Sequence, residues 1–300
     1  MTLRQVSYFV TLAETGSFTL AARKLRIAQP SLSQQVRALE RDVGANLLER
    51  TSRGARLTTA GREFLPEARA MLAAWQRAVL AVRQTEALEG GELEIATVRS
   101  LAVGVLPPIV GEFRSRHPRV RIWLREFAHR DHLSDAVLQG LSDIAFGPRP
   151  SSWGGPVLSL GWEEFAVILP PADPLAETDG SLNLRHLAQR EWILYEPGHG
   201  LDDVVVFACA KAGFTPRAAM RTGQAEAAVR LAASGLGVAM VPISLVPDQL
   251  ARTSRRMRHP VIRELVAYTR TQFSPAAEAF AAVAAAAYRP ERPPRAIVFR

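Results

Sequence analysis

Residues 29–40 read Gln29-Pro30-Ser31-Leu32-Ser33-Gln34-Gln35-Val36-Arg37-Ala38-Leu39-Glu40. Leu32, Val36, Leu39 and Val43 recur at helical spacing, so the stretch predicts an amphipathic helix with these residues as its buried stripe. Pro30 suits the first turn, where a missing N–H costs little. Ser31, Ser33, Gln34, Arg37 and Arg41 are left on the other faces, and all are short hydrogen-bonding or cationic side chains.

Upstream, Leu3, Val6, Phe9, Val10 and Ala13 predict a helix over 3–15 that stops at Gly16. Ser17 is placed to cap a short second helix carrying Phe18, Ala21, Ala22 and Leu25, whose two alanines allow another helix to approach closely. Two helices joined by a tight turn, the second exposing Ser, Gln and Arg, suit a recognition helix in the major groove of DNA. Gln and Arg can make paired hydrogen bonds to adenine or guanine edges. The same pattern also fits the solvated face of any small helical domain. Downstream, Leu47-Leu48-Glu49-Arg50 and Ala55-Arg56-Leu57-Thr58 flank Thr51-Ser52-Arg53-Gly54 as a short hairpin. Arg50, Arg53 and Arg56 lie near its tip, where a basic wing meets phosphates or the minor groove.

Phe9, Ala13, Gly16-Ser17-Phe18, Ala21-Ala22, Leu25, Gln29-Pro30-Ser31-Leu32-Ser33, Leu39-Glu40, Gly44, Leu47-Leu48-Glu49-Arg50 and Leu57-Thr58-Thr59-Ala60-Gly61 together resemble the N-terminal signature of the LysR-type transcriptional regulators. The family often carries Arg after the second Ser of Gln-Pro-Ser-Leu-Ser, where this chain has Gln34. The resemblance implies an all-α winged helix-turn-helix over residues 1–61. Its expected DNA contacts are Gln29, Pro30, Ser31, Ser33, Gln34, Arg37, Arg50, Arg53 and Arg56.

Charge agrees with a polyanionic partner at that end. Residues 1–65 hold ten Lys/Arg against five Asp/Glu, a net +5, and the segment 91–288 is balanced at twenty of each. Ala68, Leu72, Trp75, Val79 and Val82 then alternate steps of four and three, the seam of a long helix. With Glu89-Gly90-Gly91 after it, residues 62–89 read as a linker helix paired with a second chain in a homodimer or homotetramer. Packing of that seam against its own chain is the alternative.

Beyond Gly91 strand-like and helix-like segments alternate, which predicts an α/β region with a largely parallel sheet. Gly91-Glu-Leu-Glu-Ile, Leu106-Pro107, Phe113, His117-Pro118, Leu138, Gly140, Asp143-Ile144-Ala145, Gly235-Leu236-Gly237-Val238-Ala239 and Val241-Pro242 look like the sensor part of the same family. That implies, over 90–288, two α/β subdomains of the periplasmic-binding-protein kind with an effector cleft between them. Ends of strands that meet helix N-termini there are natural anion sites. The residues so placed are Arg99, Ser100 and Leu101, Phe146 and Arg149, Tyr195, Pro197 and His199, and Thr222 and Gln224. A small anionic effector is expected, with Arg99 and Ser100 as its anchor. Residues 289–300, with four Arg and three Pro, read as a mobile basic tail.

Other classes are disfavoured. No convergent catalytic set is present, and His129, Asp131, His132 and Asp135 fit an exposed helix start as well as a metal site, so no cofactor, metal or enzymatic activity is expected. A transport solute-binding protein carries an export signal and no basic winged helix. An architectural DNA-binding protein without an effector is the remaining alternative. The single cysteine, Cys209, excludes an internal disulfide and reads as a small buried residue. No stretch is long and apolar enough for a membrane span, and the Ala-rich run 276–288 reads as an ordinary helix. The expected setting is the cytoplasm, with double-stranded promoter DNA as partner.

Overall fold

The computed structural model describes residues 1–51, 54–84, 91–178 and 180–300. For Arg50, Thr51 and residues 73, 76, 77 and 80–84 it describes the backbone only. The chain forms two compact units, Met1–Arg83 and Gln84–Arg300.

The first unit opens with helices α1 (Leu3–Thr15), α2 (Phe18–Leu25) and α3 (Gln29–Val43). Thr2 starts α1 with a reciprocal capping box, and Ser17 caps α2 through the backbone N–H of Leu20. Arg26 ends α2 in the left-handed region at φ 55°. Ala21 and Ala22 are buried with Leu12, Leu32 and Val36, the close approach the small side chains permit. Two details of α3 correct the sequence reading. Val43 lies in the last turn before Gly44 and is exposed, so the buried stripe ends at Leu39. Ser33 is only 8% exposed and lies on the inward side rather than with Gln34 and Arg37.

Strands β1 (Leu48–Thr51) and β2 (Gly54–Leu57) pair antiparallel, with Glu49 opposite Arg56. Glu40 Oε1 accepts the N–H groups of Leu47 and Leu48 at 2.9 and 3.1 Å, tying the hairpin to α3. Ala55 N–H donates to Gly16 O at 2.8 Å. A Cβ on Gly54, whose φ is 136°, would collide with that same carbonyl, so only glycine lets the wing seat there. The 26-residue helix α4 (Thr59–Gln84) follows, and Ala68 and Leu72 of its seam pack on Phe9, Leu39 and Leu47 of this unit.

The second unit contains two hydrophobic cores. The first half is built from β3 (Glu92–Val98), α5 (Arg99–Gly104), α6 (Leu106–Arg116), β4 (Arg121–Phe127), α7 (Arg130–Leu138) and β5 (Ile144–Pro148). The long strand β6 (Val157–Ile168) leads into the second half, with β7 (Glu191–Tyr195), α8 (Gly200–Lys211), β8 (Arg217–Thr222), α9 (Ala225–Ala233), β9 (Ala239–Pro242) and β10 (Ser254–Arg256). Strand β11 (Val261–Tyr268) returns to the first half, where α10 (Pro275–Ala287) packs Phe280 edge-on against Phe113, and β12 (Ile297–Phe299) ends the chain's regular structure.

Strands β4, β3 and β5 run parallel, as do β7 and β8, but β6 and β11 pair antiparallel with each other and carry the sheet through both halves. The sheet is therefore mixed rather than largely parallel. Leu160 of β6 sits in the first core, and Phe165, Val167 and Ile168 sit in the second; on β11, Val261 belongs to the second core and Leu265 to the first. A bulge at the crossover brings Gly161 opposite Leu265 and Ser159 opposite Val266. Cys209 is fully buried, and burial pushes its thiol up to about 12, which makes it inert packing. The tail is the largest departure from the sequence reading: β12 adds a parallel strand to β11, in register Val261 to Ile297, so 289–300 is part of the fold. Among the described residues no helix is long and apolar enough to cross a membrane.

Candidate nucleic-acid interface and ligand cleft

On the first unit, Gln29, Pro30, Ser31, Gln34 and Arg37 are exposed along α3. The N-cap position, Ala28, supplies no side-chain acceptor, unlike Thr2 and Ser17 on the two preceding helices. The first-turn N–H groups of α3 therefore face solvent beside three short exposed side chains, an arrangement suited to a phosphate oxygen. Arg56 is exposed on β2. Arg53 lies outside the described residues, as does the side chain of Arg50.

In the second unit a cleft opens between the halves where β3 ends and α7 and α8 begin. It is lined by Arg99 and Ser100 after β3, by Ala128–Arg130, by His199–Leu201 and Asp203, and by Arg263 of β11. Arg263 forms its floor and is paired with the buried Glu163. The Arg263 guanidinium donates to Glu163 Oε2 at 2.5 Å and to Ser100 Oγ at 3.1 Å, and both charged side chains are almost fully buried. Among the described residues Glu163 Oε1 has no hydrogen-bond partner. Burial raises the Glu163 carboxyl above its ordinary range, with Arg263 pulling the other way. His199 caps α8 through Nδ1 and stacks on Tyr195 at 5.0 Å. Burial, Arg99 and Arg263 all lower its pKa, so the ring is neutral at pH 7. His129 Nε2 meets Asp203 Oδ2 at 3.0 Å, and its Nδ1 caps α7.

Residues 3–62 match the model of the bacterial regulatory helix-turn-helix proteins of the lysR family, and residues 86–289 match that of the LysR substrate binding domain. The chain belongs to the LysR family. It is 34% identical over 274 residues to a probable cat1 operon transcriptional activator of Acinetobacter lwoffii, covering 89% of this chain and 86% of that protein. It is 32% identical to the transcriptional regulator BenM of Acinetobacter baylyi, with 85% and 84% covered. The fold matches full-length CbnR in complex with its target DNA, with a TM-score of 0.72, 26% identity, and 96% and 100% of the two chains covered. This LysR-type regulator binds promoter DNA, responds to a small-molecule effector, forms oligomers and is not an enzyme.

Of the effector residues expected from sequence, Arg99, Ser100 and His199 line the cleft together. The others are elsewhere. Leu101 and Phe146 are core residues of the first half, and Tyr195 is buried with its hydroxyl donating to Met240 O at 3.0 Å. Arg149 pairs with Glu264 at 2.5 Å outside the cleft. Pro197 and Gln224 are exposed away from it, and Thr222 Oγ1 accepts the Gln224 N–H. Sequence reading missed Arg130, Asp203 and Arg263 as lining groups. His129 and Asp131, weighed there as metal ligands, are helix-start residues, and among the described residues no three His, Cys, Asp or Glu side chains are grouped for a metal.

Proposed function

We propose that α3 of this regulator reads promoter DNA with Gln29, Ser31, Gln34 and Arg37, that Pro30 and the first-turn N–H groups sit on a phosphate, and that Arg50, Arg53 and Arg56 of the wing hold the backbone. Ser33, being buried, supports the helix from inside. The effector is a small anion bound in the cleft of the second unit. The observation that carries this reading is the charge of the cleft wall: Arg99, Arg130 and Arg263 line it with one carboxylate, Asp203, which is already held by His129. Since Arg263 is paired with Glu163, the guanidinium groups of Arg99 and Arg130 are the excess charge of the lining. Among these, Arg99 is exposed at the end of β3.

Oligomerisation runs through α4, whose anchored first half leaves Trp75 54% exposed on the seam. The side chain of Val82, the last seam residue, lies outside the described residues. Trp75→Glu shifts the full chain toward monomer in light scattering. A promoter-binding regulator works in the cytoplasm. Functionally, 1–61 reads DNA, 62–89 pairs the chains and 90–288 senses, with 289–300 joined to the sensor.

The test is a thermal-shift screen of small anionic metabolites followed by calorimetry on wild type and Arg99→Ala. Loss of a charged hydrogen bond weakens the ligand about tenfold to a hundredfold. Equal affinities remove Arg99 from the site.

A further inference from the structure

We propose that the cleft is a peptide-binding site whose resident ligand is this chain's own segment Ile297–Arg300, and that an effector enters by displacing it. The second clause rests on the effector reading above; the first does not.

A basic, Pro-rich segment without a core of its own is expected to be mobile, yet this one is held at four places. Pro290 O accepts the Trp162 N–H at 3.1 Å. Its ring lies over Gly161, where an added Cβ would stand 2.8 Å from Pro290 Cδ. Arg292 lies over the Trp162 ring at 5.6 Å. Ile297–Phe299 then pairs with Val261–Arg263, and the Phe299 ring meets Phe207 of α8 edge-on at 5.4 Å. From the opposite half, Arg130 lies 5.4 Å over the same ring and donates to Arg300 O at 3.0 Å. The segment thus bridges both halves and both crossing strands. This is strand addition, a recurring mode of peptide recognition in which backbone pairing holds the segment and a pocket reads one side chain.

With Phe299 in place the cleft retains only about 10 Å³ of free space, the room of a single water. Ligand sites are typically about 300 to 1,000 Å³, so the cleft admits a metabolite only after something moves. Phe299 is the candidate because of what lies behind it. A cavity of about 360 Å³ shares Arg130, Pro148, Arg263 and Phe299 with the cleft. The aromatic side chain and its strand line both spaces, and withdrawing them joins the spaces at the cost of the packing of Ile297 and Phe299 on the edge of the second core.

The test compares the intact chain with one ending at residue 295, using a fluorescein-labelled peptide of sequence Ala-Ile-Val-Phe-Arg. The shortened chain is expected to bind this peptide saturably and at least tenfold more tightly than the intact chain does. The same peptide with Ala in place of Phe should lose at least tenfold. Phe299→Ala in the full-length chain, checked for native circular dichroism, opens the site without shortening and should also gain peptide binding. Equal binding by intact, shortened and Phe299→Ala chains, or equal binding of the two peptides, overturns the proposal. For displacement the probe is 3-phenylpropanoate, phenylalanine without its amino group, which should compete with the peptide on the shortened chain and bind the intact chain at least tenfold more weakly. Peptide binding with no competition by this probe or by any anion of the metabolite screen supports the resident segment and sinks the effector reading; equal affinity of the probe for both chains overturns displacement.

Discussion

On α3, the side chains proposed to read DNA stand in solvent on a helix whose opposite side makes the core. At the cleft of the second unit, Ser100 and Arg263 are buried, and Arg263 engages both Ser100 and the buried Glu163. Substitution on the helix face removes function and leaves the fold, because solvent replaces whatever the side chain lost. Substitution at the cleft floor acts on both, because each group is the partner that makes another group's burial tolerable. The regulator's two binding surfaces therefore differ in how separable they are from its stability.

The sharpest way to break this contrast is Arg263→Ala. Glu163 is 2% exposed and would remain with no cation beside it. Removing one partner of a buried pair typically costs about 3 to 5 kcal/mol, so urea unfolding of the second unit should move by that amount. Arg263→Met combined with Glu163→Leu should recover most of the loss, since no buried charge then remains. A change under about 1 kcal/mol for Arg263→Ala would mean that the floor is not a stability element and would erase the distinction.

The helix face provides the converse. Gln34→Ala and Arg37→Ala should each weaken binding to promoter DNA by about 1 to 3 kcal/mol if they contact bases, with thermal stability within about 0.5 kcal/mol of wild type, as for other exposed positions. Anisotropy titrations at several salt concentrations separate base reading from phosphate contact, because a lost phosphate contact flattens the salt slope and weakens all sequences alike.

This difference also explains what the sequence disclosed. The exposed face of α3 was legible because everything that determines it, the apolar spacing, Pro30 and Gly44, lies within sixteen residues. Only Val43 and Ser33 were misassigned, at the last turn and at the stripe's edge. The cleft was legible in part: strand ends marked Arg99, Ser100 and His199, but Leu101, Phe146 and Tyr195 turned into the cores beside them. Strand β11 was not read at all, because Arg263-Glu264 interrupts its apolar run. Those charges are tolerated by Glu163 and Arg149, 100 and 115 residues away, and no local pattern announces partners at that distance. The tail was misread for the same reason: its composition describes a solvated chain, and its partners Gly161, Phe207 and Arg130 are remote.

The smallest expected effect sharpens the comparison through pH. His199 is buried at the cleft beside Arg99 and Arg263, and its pKa lies below the ordinary histidine value. In the unfolded chain a histidine titrates near 6.5. Above that pH both states are neutral at this ring and it contributes no pH dependence. As the pH falls below about 6.5 the unfolded state takes up a proton that the folded state resists, so stability is lost progressively down to the folded pKa. The slope cannot exceed about 1.4 kcal/mol per pH unit for one group, and a few tenths to about 1 kcal/mol is expected between pH 6.5 and 5.5. His199→Asn retains a side-chain acceptor at the start of α8, where His199 Nδ1 accepts the Leu201 N–H, and asparagine is a favoured cap. The difference in unfolding free energy between wild type and this variant should be constant from pH 8 to 7 and should shift in favour of the variant from pH 6.5 to 5.5. Taking the difference cancels the other five histidines of the chain, which titrate in both proteins. A difference that stays flat across the whole range would show that His199 titrates alike in the folded and unfolded chain, and that the cations of the cleft do not reach its ring.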